Sequence, residues 1–237
     1  MVRSTSLLVT FPTSEEGATQ ALAERDLEVG LHFDLVGGHP VMDAAAVPTL
    51  VDAQGRFLPL ATFTKRLLTG RVRASEVAAE LRAQVERARH WGVPALAWDS
   101  HRHVHLMPPV ARVVASLAKE LGARWVRRGR APRASLKPKA LSVHLASIVS
   151  ELAYRRTPGN AWYIDLTSAK PRFDATSVAL LATLPGVGEL GAHPGYADDD
   201  LRRIDSLVDG REDDLVLLTD PLLREALGRD CVVWRVR

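Results

Sequence analysis

Residues 99–105 read Asp-Ser-His-Arg-His-Val-His, so three of the chain's eight histidines stand at alternate positions behind an aspartate. An extended stretch alternates its side chains, and on that reading His101, His103 and His105 could share one face. Imidazole is the commonest protein ligand for transition metals and the usual proton carrier near neutral pH. The segment therefore points to metal binding, proton transfer or both. Asp99 could bind a metal itself or orient a ligating histidine from behind. Two further histidines sit in comparable places, His32 in Gly-Leu-His-Phe-Asp-Leu and His193 in Ala-His-Pro-Gly-Tyr.

Such residues act together only if strands bring them together. Residues 4–10 and 28–35 are β-prone, and Thr13-x-x-Glu16 predicts a capping box that opens a helix running to about Glu24. Three prolines within 37–59 predict a long loop. Residues 75–91 predict an amphipathic helix with Val77, Leu81 and Val85 on one side, stopped by Gly92. Residues 95–98 read as a short apolar strand running into the histidine segment. A helix over 109–121 ends at Gly122, and a strand starts at Trp125–Val126. Farther on, 138–156 and 174–184 read as helices, and 162–166 and 187–192 as strands, the last delivering His193. Residues 200–208, 212–218 and 221–227 read as helical, with a terminal strand over 231–236. Strands alternating with helices predict a mostly parallel sheet, open or closed into a barrel. In such folds the carboxyl ends of the strands gather on one face. His32 lies toward the end of the predicted strand 28–35, and His101 and His193 follow predicted strands, so they are expected to converge.

The remaining charged clusters read more plainly. His39, His90 and His144 read as surface or core residues. Asp198-Asp199-Asp200 reads as a helix start, where acids suit the macrodipole. Arg124, Arg127, Arg128, Arg130 and Arg133 cluster around Gly129 and Pro132 and read as a solvated basic loop. Without interleaved aromatic residues, and with a net charge of only +3, this loop gives no reason to expect a nucleic-acid partner.

The chain has 237 residues, 46% of them hydrophobic, which is enough for a real core and fits one domain. A single cysteine, Cys231, excludes an internal disulfide framework and a cysteine-built zinc site. No run of about 18 apolar residues predicts a membrane span, and the start lacks the features of a signal peptide. A cytoplasmic location is expected.

Taken in order, Gly30-Leu31-His32-Phe33-Asp34-Leu35, Asp99-Ser100-His101-Arg102-His103-Val104-His105 and His193-Pro194-Gly195-Tyr196 resemble the YdjC-like carbohydrate deacetylase family. That family includes chitooligosaccharide deacetylases and hopanoid-biosynthesis-associated relatives. Ser4-Thr5-Ser6-Leu7-Leu8-Val9, Leu50-Val51-Asp52 with Gly55-Arg56-Phe57, and Trp125-Val126-Arg127 are similar to it as well. The resemblance implies an α/β fold, an irregular (β/α) barrel, and a divalent metal, Mg2+ or Zn2+. It implies a hydrolase that removes N-acetyl groups from an amino sugar or acetylated oligosaccharide. By motif, His32 and His101 are the implied metal ligands, and His193 the implied general acid.

Family members usually open on a strand ending in Asn-Ala-Asp-Asp-Phe-Gly, whose aspartates complete the metal site and supply the base. This motif is absent here. The expectation is therefore a single domain over 1–237 that lacks its first strand, a unit of roughly 25–30 residues. Little activity is expected of this chain unless Asp34 or Asp99 substitutes. The rival expectation is a non-catalytic sugar- or metal-binding relative. An open sheet edge or the basic loop could carry a homodimer contact.

Overall fold

The structure, a computed structural model, describes residues 2–131, 138–167, 177–178, 181, 183–205 and 207–230. Four short strands form one parallel sheet in the order β1-β2-β3-β4: Ser4–Leu7, Glu28–Phe33, Ala97–Ser100 and Trp125–Val126. Two more, β5 (Trp162–Asp165) and β6 (Gly188–Gly191), pair in parallel. The α/β class expected from the alternation of elements is the one adopted. The terminal strand expected over 231–236, and most of the helix expected over 174–184, lie outside the described residues.

Parallel strands need crossovers, and helices supply them. Helix α1 (Ser14–Ala23) leads from β1 to β2, and α4 (Pro108–Leu121) from β3 to β4. Between β2 and β3 lie a long loop, α2 (Leu60–Leu68) and α3 (Ala74–His90). Helix α5 (Pro138–Tyr154) precedes β5; α6 (Asp199–Ile204), α7 (Arg211–Thr219) and α8 (Pro221–Asp230) follow β6. Val77, Leu81 and Val85 of α3 are buried, which places its apolar stripe against the sheet. Gly122 ends α4 in the left-handed region, at φ 74°, and its N–H bonds the Ala118 carbonyl.

Two local expectations fail. The capping box at Thr13 does not form; Thr13 makes no side-chain cap, and the Phe11 N–H donates to Ser14 Oγ instead. Helix α2 falls where no element was expected, directly after the proline-rich loop.

Buried apolar residues fall into two clusters. The larger joins β2 and β3 to α3, α4 and the long loop through Leu31, Phe33, Trp98, Leu81, Val114 and Leu50. The smaller joins Leu166, Leu217, Leu223 and Ala226 beyond β5. Backbone and Asn160 bonds stitch the sheets together. Asn160 accepts from the Arg128 N–H at 2.7 Å and donates to the Arg128 carbonyl at 2.7 Å, and the Tyr163 N–H donates to the Arg130 carbonyl at 2.6 Å.

Strands β2 and β3 run very close at Gly30. A Cβ there would lie 2.8 Å from the Ala97 carbonyl oxygen, so only glycine fits. Two residues farther on, His32 lies in register with Asp99.

Candidate functional site

Three strand ends supply the site. His32 belongs to β2, His101 follows β3 and His193 follows β6. All three line one cavity of about 1820 Å³, together with Arg102, Asp165 and Arg211. The expected convergence therefore occurs, across both sheets. Pockets for small ligands commonly measure about 300–1,000 Å³, so there is room for an oligosaccharide.

His32 is held from behind. Its Nδ1 lies 2.7 Å from Asp99 Oδ1. A carboxylate only accepts, so Nδ1 carries the proton and Nε2 keeps a lone pair. Ser6 of β1 donates to the other Asp99 oxygen at 3.1 Å. Arg127 Nη1 forms an ion pair with that same oxygen. Burial pushes the Asp99 pKa up, but Arg127 and His32 more than offset it and hold the carboxyl well below the usual carboxylate range. Asp99 is thus an ionised orienter of His32, the arrangement common behind metal-binding imidazoles.

His101 lies beside it, with ring centroids 6.2 Å apart. Arg102 Nε donates to His101 Nε2 at 3.3 Å, so that nitrogen also carries a lone pair. Burial, then the charges of His32 and Arg102, lower the His101 pKa to about 4. Arg102 is itself held by Asp205 at 3.0 Å, and Asp205 by Arg211 at 2.8 Å.

The three alternating histidines do not share a face. The chain leaves β3 into a 3₁₀ turn, His101–Leu106, in which Arg102 and His103 adopt φ of 54° and 56°. Two consecutive non-glycine residues in the left-handed region are rare and costly. The turn sends His105 inward, 1% exposed. Its Nε2 donates to the Arg127 carbonyl at 3.0 Å, and its Nδ1 accepts from Ser100 Oγ at 2.5 Å. Burial lowers its pKa to about 3, so it is a neutral structural residue. His103 packs edge-on to Tyr163, with centroids 5.6 Å apart.

The solvated basic loop is the main correction. Arg127 Nε donates to Glu189 Oε1 of β6 at 2.7 Å, and Arg127 also pairs with Asp99. Burial alone would lower its pKa, but the two carboxylates raise it, so the guanidinium stays charged inside the fold. Arg128 is buried too and donates to the carbonyls of Val126, Tyr154 and Thr157. Neither is available to nucleic acid, while Arg130 remains exposed. Arg133 lies outside the described residues.

His193 is held by a different group. Its Nδ1 lies 2.9 Å from Thr167 Oγ1 and 3.8 Å from Asp165 Oδ1. Burial lowers its pKa. The acidic run at 198–200 behaves as a helix start, with Asp198 Oδ1 accepting from the Leu201 N–H at 2.8 Å. Asp34 is unsuited to a ligand role: Thr10 Oγ1 and the Val36 N–H donate to its oxygens at 2.9 and 3.0 Å.

The donor set fits a divalent ion only in part. His32 and His101 offer lone pairs to one cavity, but catalytic sites normally use three protein ligands. Among the described residues no group of three His, Cys, Asp or Glu side chains could hold a metal. Asp99 is committed to His32, Ser6 and Arg127.

Residues 1–229 match the family of YdjC-like proteins. The chain belongs to that family. A carbohydrate deacetylase of Geobacillus stearothermophilus is 31% identical over 227 residues, covering 94% of this chain and 80% of the relative. One from Listeria monocytogenes serotype 4a (strain HCC23) is 28% identical over 236 residues, covering 97% and 84%. A crystal structure described as a candidate cellobiose-phosphate cleavage protein of Enterococcus faecalis V583 has the same fold. It matches with a TM-score of 0.80 at 22% identity, over 99% of this chain and 87% of the other. YdjC-like membership thus agrees with the resemblance carried by the three histidine motifs. Among the described residues no helix is long and apolar enough to cross a membrane.

Proposed function

We propose that this YdjC-like chain is a carbohydrate deacetylase that hydrolyses the N-acetyl amide of an amino sugar, with His32 and His101 as metal ligands and His193 as the general acid. The observation that carries this reading is the convergence of these three histidines, from three strand ends, on one cavity in a relative of carbohydrate deacetylases. The two lone-pair nitrogens suit Zn2+ better than Mg2+, which prefers oxygen donors. A bound divalent ion would polarise the acetyl carbonyl and acidify a water. The chain's own residues supply orientation and proton handling. Asp99 keeps the His32 proton on Nδ1 and its lone pair on Nε2. Arg102 must swing off His101 Nε2 before that nitrogen can serve a ligand. His193 passes a proton to the departing amine, a role worth about 10²–10⁴-fold in rate. Among the described residues no third side chain completes the set.

The test is acetate release from N-acetylated chitooligosaccharides by the purified chain in the presence of Zn2+ or Mg2+. Release is expected to fall at least about 100-fold in His193→Ala, and Zn2+ binding measured by calorimetry is expected to be lost in His32→Ala and in His101→Ala. An inert protein that still binds the sugar would replace this reading with the rival one, a non-catalytic binder. That rival draws its support from the incomplete ligand set.

A further inference from the structure

We infer that Thr167 and Asp214 are positioning residues that lock His193 in the tautomer with its proton on Nδ1, leaving Nε2 as the working nitrogen. The role of His193 as an acid rests on the function proposed above; the tautomer lock does not.

Donor counting gives the lock. Asp214 lies in the first turn of α7 and is 3% exposed. Its Oδ2 takes two hydrogen bonds, from Thr167 Oγ1 at 2.5 Å and from the His193 backbone N–H at 2.8 Å. A carboxylate can only accept, so the Thr167 hydroxyl spends its one proton on Asp214. At Thr167 Oγ1 only lone pairs remain for His193 Nδ1, 2.9 Å away. Nδ1 must therefore be the donor. The Asp165 carboxylate, 3.8 Å from Nδ1, adds a negative charge on the same side of the ring. The backbone bond from His193 to Asp214 fixes the residue at its root, so ring and main chain are clamped by one carboxylate.

The fold explains why these groups meet. Strands β5 and β6 are parallel and in register, with Asp165 opposite Gly191. Each chain runs two residues past that pair to reach Thr167 and His193, which therefore leave the sheet side by side. Helix α7 then brings Asp214 under both.

The consequence concerns proton flow. Imidazole in water favours Nε2–H, and the lock reverses that preference. Burial lowers the His193 pKa, which favours the neutral ring near pH 7. Neutral His193 then presents a lone pair at Nε2, takes up a proton there and releases it from the same atom, while Nδ1–H stays on Thr167 throughout. The same counting holds at His32, where Asp99 keeps the proton on Nδ1. Two histidines of the cavity thus present Nε2 lone pairs, fixed by unrelated carboxylates.

The experiment is a long-range ¹H–¹⁵N correlation spectrum of the full chain with ¹⁵N-labelled histidine at pH 7.5, with the His193 signals assigned by their loss in His193→Gln. Nδ1 is expected to be the protonated nitrogen in the unaltered protein. In Thr167→Val the ring is expected to revert to Nε2–H, and in Thr167→Ser to keep Nδ1–H. Asp214→Ala, which removes the acceptor shared by Thr167 Oγ1 and the His193 N–H, is expected to behave like Thr167→Val; if that replacement does not fold, Thr167→Val carries the test alone. An Nε2–H ring in the unaltered protein, or an unchanged Nδ1–H ring in folded Thr167→Val, overturns the inference. On substrate, Thr167→Val is expected to lose about 10–100-fold in kcat with KM nearly unchanged, and Thr167→Ser to recover it. A locked Nδ1–H ring in a protein that releases no acetate would sustain the lock and sink the deacetylase reading. Histidine-dependent acetate release with an unlocked ring would do the reverse.

Discussion

Replacing Arg127 with methionine should be among the costliest single changes in this protein. The guanidinium pairs with Asp99 on one side and Glu189 on the other. Its side chain is 15% exposed, and those of Asp99 and Glu189 are 4% and 24% exposed. Removing one partner of a buried ion pair costs about 3–5 kcal/mol, because the other charge is left uncompensated. Here Asp99 keeps His32 and Ser6, and Glu189 is partly solvated, so the lower end, about 3 kcal/mol, is expected. For a chain of this length that corresponds to a fall in Tm of about 6–12 °C. Urea unfolding followed by circular dichroism measures the loss directly. In a double-mutant cycle, Arg127→Met with Glu189→Gln should cost less than the sum of the two singles, by about 1–2 kcal/mol. A loss below about 1 kcal/mol for Arg127→Met, the value of a solvated ion pair, would refute the buried bridge and return Arg127 to the surface loop first expected.

Gly30→Ala places a methyl 2.8 Å from the Ala97 carbonyl oxygen and should cost about 1–3 kcal/mol in urea unfolding while weakening Zn2+ binding at His32. His105 has a folded pKa of about 3 against about 6.5 unfolded. Between those values only the unfolded chain takes up the proton, so stability is lost as pH falls below 6.5; His105→Gln should flatten that acid limb by up to about 1.4 kcal/mol per pH unit in urea midpoints measured from pH 7 to pH 4. Tyr154→Phe removes the hydroxyl that donates to the His105 carbonyl at 2.5 Å and should cost about 1–2 kcal/mol by thermal unfolding.

The elements that position the site were legible in the sequence because their signals are local. Apolar spacing marks α3, Gly122 marks the end of α4, His32 stands near the end of a β-prone run, and His101 and His193 each follow one. What stayed hidden depends on partners distant in sequence. Arg127 reads as solvated because its neighbours are arginine, glycine and proline; its carboxylates arrive from Asp99 and from Glu189, 62 residues away. A signal did exist, since Glu189 is an acid inside the apolar run 187–192 and a charge there needs a partner. The turn after Ser100 had no such signal. Alternation predicted a shared face, but two left-handed residues, neither of them glycine, rotated His105 into the core. Thr167 and Asp214 were missed because a threonine and a helical aspartate carry no mark of their own until β5, β6 and α7 are placed together.

The bridge through Arg127 also bears on the order of assembly. On a growing chain Asp99 and Arg127 are both made, and can already pair, well before Glu189 leaves the ribosome. The first sheet then carries a guanidinium with only one of its two carboxylates. When β6 arrives, Glu189 accepts from the Arg127 Nε–H that Asp99 does not use, and a slip of one residue would turn its side chain to the opposite face. The salt link thus favours the alignment of the second sheet in which Glu189 meets Arg127, the same alignment in which His193 lines one cavity with His32 and His101.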